Sequence, residues 1–132
     1  ATALADYQRT FLTTLDGRPA EGGVRATVAA HLDWCLRERP AEARFLLFHA
    51  DAAGDVEALN RTFFGEVLRW WRPHVRSGAM RGLDLDLAYA LWLGPAQEYC
   101  RLRLAGRTRV APARARTELT EAAWAALKGD TR

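Results

Sequence analysis

Histidine and cysteine side chains at helical spacing are the first candidates for chemistry in this sequence. His31 and Cys35 lie four residues apart, which places them on one face of a helix and makes them half of a metal site. The other half would have to come from His49, His74 or carboxylates, and none of these has a suggestive spacing. We therefore predict no metal, and expect Cys35 to pack in the core beside a hydrogen-bonded His31.

Catalytic signatures are missing from the chain. The sequence has no Gly-x-Ser-x-Gly elbow, no phosphate-binding glycine loop and no His-Glu-x-x-His motif. Its single serine, Ser77, falls in a predicted loop, and no carboxylate pair is suggestively placed. These observations predict a protein that is not an enzyme and that uses no cofactor.

Polar residues embedded in apolar helix faces are more informative. His31, His49 and Asn60 each lie among aromatic residues, and a buried polar group without a partner costs about 1–3 kcal/mol. Each must bond to the protein, to water or to a ligand. Five tryptophans add to this pattern, because bulky aromatics at helical spacing often line an apolar pocket, although plain core packing is the more usual explanation.

Length and composition indicate one soluble domain spanning residues 1–132. The net charge of +3 comes from scattered arginines, with Lys128 as the only lysine, which is a weak signal for nucleic-acid binding. Cys35 and Cys100 are far apart in sequence and are expected to be reduced, buried thiols. No apolar run reaches the roughly 18 residues of a membrane span, so we expect a cytoplasmic protein, and the composition is typical of a GC-rich bacterial genome.

Apolar periodicity predicts an all-α protein of about six helices. The predicted helices cover residues 2–15, 23–39, 41–50, 56–76, 84–106 and 113–128. Asp55 and Asp84 are the expected N-caps, Pro73 should kink or end the fourth helix, and Gly106 and Gly129 should close the last two. The nearly continuous apolar run at 43–50 has the length of a strand, but no other segment could pair with it.

The helix at 84–106 carries more apolar surface than one buried face needs. One stripe consists of Ala88, Leu91, Trp92, Pro95, Tyr99 and Leu102, and another of Tyr89, Leu93, Ala96, Cys100 and Leu104. A helix with two such stripes usually buries one and offers the other to a partner. Gly94 and Pro95 mark the point where this helix could bend.

Four stretches in a fixed order resemble a known family: HLDWCLRERPAEARFLLF, ALNRTFFGEVLRWWRPHV, LAYALWLGPAQEYCRLRLAGR and TELTEAAWAAL. Together they are similar to the C-terminal ligand-sensing and dimerisation domain of TetR (tetracycline-repressor) family transcriptional regulators, over residues 4–127. The resemblance implies a bacterial repressor whose C-terminal helices bind a small inducer and form a homodimer, and whose N-terminal helix-turn-helix binds operator DNA. That N-terminal module is absent here, so DNA binding is expected only through an upstream segment.

A departure from the family lies before the last helix. Relatives often place an aspartate cap ahead of the proline, where this chain has Val110, Ala111 and Pro112, so the start of the helix is expected either to fray or to be capped by Thr108. The first helix corresponds to the family's connector between the ligand pocket and the DNA-binding head.

The aromatic faces and the resemblance together predict a pocket for a small apolar or aromatic effector, with His31, His49 and Asn60 as polar anchors. Its predicted lining is His31, Trp34, Cys35, Phe45, Phe48, His49, Asn60, Phe63, Phe64, Val67, Trp71 and Trp92.

The resemblance also implies a homodimer that joins the last two helices of each subunit in a four-helix bundle. The predicted interface is Leu91, Pro95, Tyr99, Leu102, Leu119, Ala123, Trp124 and Leu127. The main alternative is a stand-alone helical adaptor that binds a partner protein and has neither a ligand pocket nor DNA binding. An enzyme on a helical scaffold is the weakest hypothesis.

Overall fold

Six α-helices and one short π-helix make up the part of the chain that the structure describes. The computed structural model describes residues 2–49 and 54–130, and the side chains at positions 2, 49 and 54–58 lie outside that description. In chain order the elements are α1 (Thr2–Leu15), α2 (Ala20–Asp33), a π segment (Trp34–Glu38), α3 (Pro40–His49), α4 (Gly54–Arg76), α5 (Leu85–Leu104) and α6 (Pro112–Leu127). The predicted all-α class with about six helices is confirmed.

Helix α2 lies at the centre of the packing, with α1, α5 and α6 against it. Val24, Val28 and Leu32 follow one another at four-residue intervals and are all buried. Because residues four apart lie on the same side of a helix, this stripe faces the neighbouring helices along the whole length of α2. The buried side chains of all the helices form one continuous hydrophobic core.

The start of α2 is earlier than predicted, at Ala20 rather than position 23. Pro19 is the N-cap, and the Gly23 amide donates to the Pro19 carbonyl at 2.8 Å, which closes the first turn. Gly23 lies inside the helix, and the Trp70 ring packs against its backbone. A Cβ at position 23 would lie 2.9 Å from Cη2 of Trp70, so the glycine makes room for the aromatic ring.

We expect Gly23→Ala to destabilise the fold by about 1–3 kcal/mol, although alanine is the better helix former by about 1 kcal/mol. The methyl group would displace Trp70, whose Nε1 donates to the Arg18 carbonyl at 3.0 Å. Gly22→Ala is the matched control, since its Cβ would meet only Pro19 at 3.5 Å, and it should be neutral or stabilising. Urea denaturation of both variants measures the difference, and equal midpoints would contradict the role given to Trp70.

The π segment directly continues α2 and is followed, after Arg39, by α3. Its last bond runs from the Arg39 amide to the Trp34 carbonyl at 2.8 Å, five residues back. Pro40 begins α3, and a proline restricts the residue before it, so Arg39 leaves the helical region with φ −137° and ψ 56°. The sequence predicted an uninterrupted α-helix here, and the wider turn moves the side chains that follow position 33.

The N-terminus of α4 differs from the prediction, whereas its last residue, Arg76, is the predicted one. The helix begins at Gly54, so Asp55 lies inside its first turn rather than at the N-cap. Pro73 does not end it, because the helix continues to Arg76. A proline near the C-terminus of a helix removes a single backbone bond and leaves one further turn to form.

Helix α5 begins and ends as predicted. Asp84 is its N-cap residue, although its side chain makes no capping bond. At the other end Gly106 has φ +71°, and the amides of Gly106 and Arg107 donate to the carbonyls of Arg103 and Leu102 at 3.1 and 2.8 Å. This is the Schellman arrangement, which requires a left-handed residue and so favours glycine.

The two ends of α6 differ from the prediction. Thr108 does not cap the helix, because its hydroxyl accepts from the Val110 amide and Ala111 is the N-cap. At the C-terminus the helix stops at Leu127, and the Gly129 amide donates to the Ala79 carbonyl at 2.8 Å. The α4–α5 loop is thereby attached to the end of α6. No helix within the described residues is long and apolar enough to cross a membrane.

Candidate functional site

A chain of polar side chains runs through the hydrophobic core between α1 and α2. The Tyr7 hydroxyl lies 2.6 Å from Nδ1 of His31, and Nε2 of His31 lies 3.7 Å from Sγ of Cys35. His31 is 4% exposed and Cys35 is 3% exposed. The imidazole is thus held at both ring nitrogens inside the core, which fixes its orientation.

Cys100 on α5 completes this polar cluster. The ligand-type atoms of His31, Cys35 and Cys100 all lie within 4.8 Å of one another, and both cysteines are free thiols. Three elements position them: His31 is in the last turn of α2, Cys35 is in the π segment, and Cys100 is on the buried side of α5. Sequence spacing paired His31 with Cys35, but only the packing of α5 on α2 supplies the third member.

The pKa values of the two thiols are shifted in opposite directions. The pKa of Cys35 is lowered, first by its hydrogen bond with the Cys100 thiol and then by its contact with His31. The pKa of Cys100 is raised well above its usual range, because its proton is held by Cys35 and because the group is buried. Burial also raises the pKa of Tyr7 and brings that of Tyr89, whose hydroxyl adjoins Tyr7, to about 12. The phenols therefore remain neutral hydrogen-bonding groups.

Aromatic rings surround one side of the polar cluster. Trp92 on α5 is 1% exposed, and its ring centroid lies 5.5 Å from Phe11, 6.2 Å from Trp71 and 6.3 Å from Tyr89. Phe63 packs at 5.2 Å from Phe11 in an edge-to-face arrangement. These side chains come from α1, α4 and α5, so the ring cluster joins three helices.

Most of the predicted pocket residues come together here, but those of α3 do not. Buried in or beside the two clusters are His31, Trp34, Cys35, Phe63, Val67, Trp71 and Trp92, with Phe64 and Asn60 half-buried. Phe45 is 59% exposed and Phe48 is 37% exposed, because the buried side of α3 carries Ala43 instead. The His49 side chain lies outside the described residues.

Several residues at this site were missed as site residues. They are Tyr7, Gln8, Phe11, Tyr89 and Cys100. Tyr7 and Phe11 were already recognisable as the inward face of the first helix, and Tyr89 and Cys100 as one stripe of the fifth. The missing information was which helix packs against which, and a one-dimensional pattern does not contain that.

Helix α1 is attached to the rest of the domain by polar contacts in addition to its apolar face. Gln8 Nε2 donates to Asn60 Oδ1 of α4 at 2.9 Å, and Trp34 Nε1 donates to Asp6 Oδ2 at 2.9 Å. The Trp34 bond, followed by the charges of Arg39 and Arg9, lowers the pKa of Asp6. Among the described residues, every buried side-chain nitrogen and oxygen has a hydrogen-bond partner.

A groove of about 320 Å³ lies between α1 and α4, next to the ring cluster. Its lining comprises Ala5, Gln8, Arg9, Leu12, Thr13, Leu59, Thr62 and Phe63. Most of the exposed lining is apolar, and the buried ring of Phe63 forms part of its wall. Gln8, whose amide is bound to Asn60, is one of four polar residues in the lining, with Arg9, Thr13 and Thr62. The groove is therefore suited to a mostly apolar molecule that also carries hydrogen-bonding groups.

The predicted dimer interface divides into exposed and buried residues. Leu91, Pro95 and Leu102 lie on the outer side of α5 together with Leu87. Leu87 and Pro95 are exposed, whereas Leu91 and Leu102 are half-buried and Leu91 also packs against the core. The structure buries Tyr99, Ala123 and Leu127 within their own chain, and leaves Leu119 and Trp124 half-buried.

These three residues offer little surface to a partner, because they are buried in their own chain. The Tyr99 hydroxyl donates to the Val110 carbonyl at 2.5 Å, and α6 packs its buried side on α2 and α5. The predicted stripe of α5 spans too wide an arc: its Ala88, Trp92 and Tyr99 side belongs to the core. The outer stripe, defined as Leu87, Leu91, Pro95 and Leu102, is the apolar surface that remains.

No family model matches the chain, and a search of curated proteins finds no significant match.

Proposed function

We propose that this chain is the effector-sensing and homodimerisation domain of a TetR-type transcriptional regulator. The observation that carries the proposal is the attachment of α1 to the aromatic core through side chains at the edge of the α1–α4 groove. In this proposal α1 is the connector to an upstream helix-turn-helix, which acts on operator DNA in the bacterial cytoplasm.

Polar bonds make the position of α1 responsive to a ligand. Gln8 lines the groove and donates to Asn60 of α4 at its edge, so a ligand that takes one of these amides as its partner must break their 2.9 Å bond. A ligand that lies against Phe63 would also press on Phe11, whose centroid is 5.2 Å away on α1. Both changes act on the same helix, and neither needs a movement of α2.

The mechanism requires a ligand whose affinity differs between two positions of α1. A ligand shifts an equilibrium between two positions of α1 only by the ratio of its affinities for the two positions. The Gln8–Asn60 bond exists only when α1 is close to α4, so a ligand that competes for it favours the displaced position. In a dimer, two displaced connectors would change the separation of two DNA-binding heads.

The outer stripe of α5 supports the dimerisation part of the proposal. Leu87, Leu91, Pro95 and Leu102 are spaced along one side of a helix that is already packed on its other side. Ala122 and Ala125 are exposed on α6, where small side chains allow another helix to approach closely. Two copies related by a twofold axis would cover the same patch on each subunit.

We expect a small apolar or aromatic compound to stabilise the protein in a saturable manner. A ligand at one hundred times its dissociation constant adds about 2.7 kcal/mol to the free energy of unfolding. A thermal-shift screen should therefore find compounds that raise the Tm of the protein. Above the dissociation constant, this rise should grow with the logarithm of the compound concentration, as expected for binding at one site.

Asn60→Ala tests where the compound binds. The variant should reduce the rise in Tm caused by a compound that hydrogen-bonds to the Asn60 amide. Gln97→Ala removes an amide on α5 outside the groove and should leave the rise in Tm unchanged. Equal shifts in both variants would place the ligand elsewhere. No saturable shift from any compound, together with a monomeric chain, would favour the helical adaptor instead.

A further inference from the structure

The spacing of the donor atoms of His31, Cys35 and Cys100 is compatible with a three-coordinate metal site. Metal–nitrogen and metal–sulfur bonds of about 2.0 and 2.3 Å, arranged in a trigonal plane, separate the nitrogen from each sulfur by about 3.7 Å. Nε2 of His31 lies 3.7 Å from Sγ of Cys35, and all three donor atoms are within 4.8 Å of one another. A metal could therefore enter with little movement of the helices.

The histidine is already oriented as metal-binding histidines are. Such a ligand usually bonds its second ring nitrogen to a protein group, which fixes the ring and the tautomer. Here the Tyr7 hydroxyl lies 2.6 Å from Nδ1 of His31, leaving Nε2 directed at the sulfur. Tyr7 is itself buried, so this bond is shielded from water.

The backbone at the site is also unusual. Cys35 is the second residue of the π segment, and π-helical turns are rare and occur frequently at functional sites. The π segment runs from Trp34 to Glu38 and ends with the bond from the Arg39 amide to the Trp34 carbonyl, so Cys35 lies at its start, directly after the turn of α2 that carries His31.

The donor set selects among metals. Two sulfurs and one imidazole are soft to intermediate ligands, which suit Cu(I) and Zn(II) rather than Mg(II) or Ca(II). Zn(II) takes four ligands in structural sites and keeps a water in catalytic ones. Within the described residues no fourth histidine, cysteine or carboxylate joins the group, and the surroundings are apolar. Cu(I) tolerates low coordination numbers, so it fits better.

We infer that His31, Cys35 and Cys100 form a buried, trigonal binding site for Cu(I). Tyr7 is a positioning residue that acts through His31. The inference does not depend on the proposed sensing of an apolar effector, since the cluster lies between α2 and α5 and lines no part of the α1–α4 groove.

Titration of the chain with Cu(I) tests the inference. The experiment is done under reductant without oxygen, with a chromophoric Cu(I) chelator as competitor, and we expect one tightly bound ion per chain. X-ray absorption of the loaded protein should show two sulfurs and one nitrogen around copper. Substoichiometric binding by the unmodified chain, or displacement of Cu(I) by an equal concentration of Zn(II), would overturn the inference.

Variants identify the ligands. Cys35→Ala and Cys100→Ala should each abolish stoichiometric binding, whereas His74→Ala, a histidine on α4 outside the cluster, should not change it. Tyr7→Phe keeps all three ligands and should weaken binding by about 10–100-fold, while Tyr99→Phe should have no effect. Circular dichroism confirms that each variant is folded, and binding retained in both cysteine variants would overturn the site.

Discussion

Replacing Trp92 by alanine is expected to lower the free energy of unfolding by about 3–5 kcal/mol. The side chain is 1% exposed and packs among Phe11, Trp70, Trp71 and Tyr89, so its removal leaves a cavity between three helices. Rings on four sides cannot all move into the space, because each is held by its own neighbours. Urea denaturation with an unchanged slope measures the loss.

The hydrogen bond of Trp92 can be separated from its packing. Nε1 donates to the Thr27 hydroxyl at 2.9 Å, and that hydroxyl also bonds to the Gly23 carbonyl at 2.7 Å. Trp92→Phe keeps most of the ring and should cost only about 1–2 kcal/mol, since Thr27 retains a partner. Val110→Ala, at an exposed position, should stay within about 0.5 kcal/mol. A Trp92→Ala loss no larger than that of the phenylalanine variant would contradict the tight packing described here.

Replacing Leu91 by arginine is expected to convert a dimer into a monomer. Leu91 lies near the middle of the outer stripe, where two copies related by a twofold axis would bring apolar side chains together. A buried, unpaired guanidinium at the centre of an interface should weaken association by 2 kcal/mol or more, roughly 30-fold. Light scattering on a size-exclusion column should give twice 14.7 kDa for the unmodified chain and 14.7 kDa for the variant.

Val110→Arg is the matched control, because it places the same charge at an exposed apolar position outside the stripe. It should remain a dimer. Tyr99→Arg is unsuitable, since Tyr99 is buried in its own chain and the change would unfold the subunit. A monomeric unmodified chain at micromolar concentration would remove the interface from the proposal, and a dimeric Leu91→Arg variant would move it to another surface.

Local sequence determined the helices because helix formation depends on neighbours within about four residues. The stripe of Val24, Val28 and Leu32 is visible in the sequence, and so are Asp84 as N-cap and Gly106 as the C-terminal glycine. The predictions that failed locally were those in which a distant residue decides. The second helix was expected to begin at position 23, whereas Gly23 lies inside it and makes room for Trp70 of another helix.

Only some of the residues of each site could be predicted from the sequence, for the same reason. Aromatic periodicity correctly indicated Phe63, Trp71 and Trp92 as buried, because each lies on the apolar face of its own helix. The same periodicity also indicated Phe45 and Phe48 as buried. Helix α3 is apolar on nearly every side, so its sequence pattern does not show which side faces the core. Both are exposed, because the packing of α3 buries Ala43.

The sequence by itself determined that this protein is helical, which residues share a helix face, and that His31 and Cys35 are neighbours. Tertiary structure alone decided that Cys100 joins them, that Tyr7 holds the imidazole, and that half of the predicted dimer stripe is core. The physical reason is the range of the interactions. Helical periodicity follows from hydrogen bonds four residues apart, whereas a three-residue site spanning α2 and α5 depends on how whole helices pack.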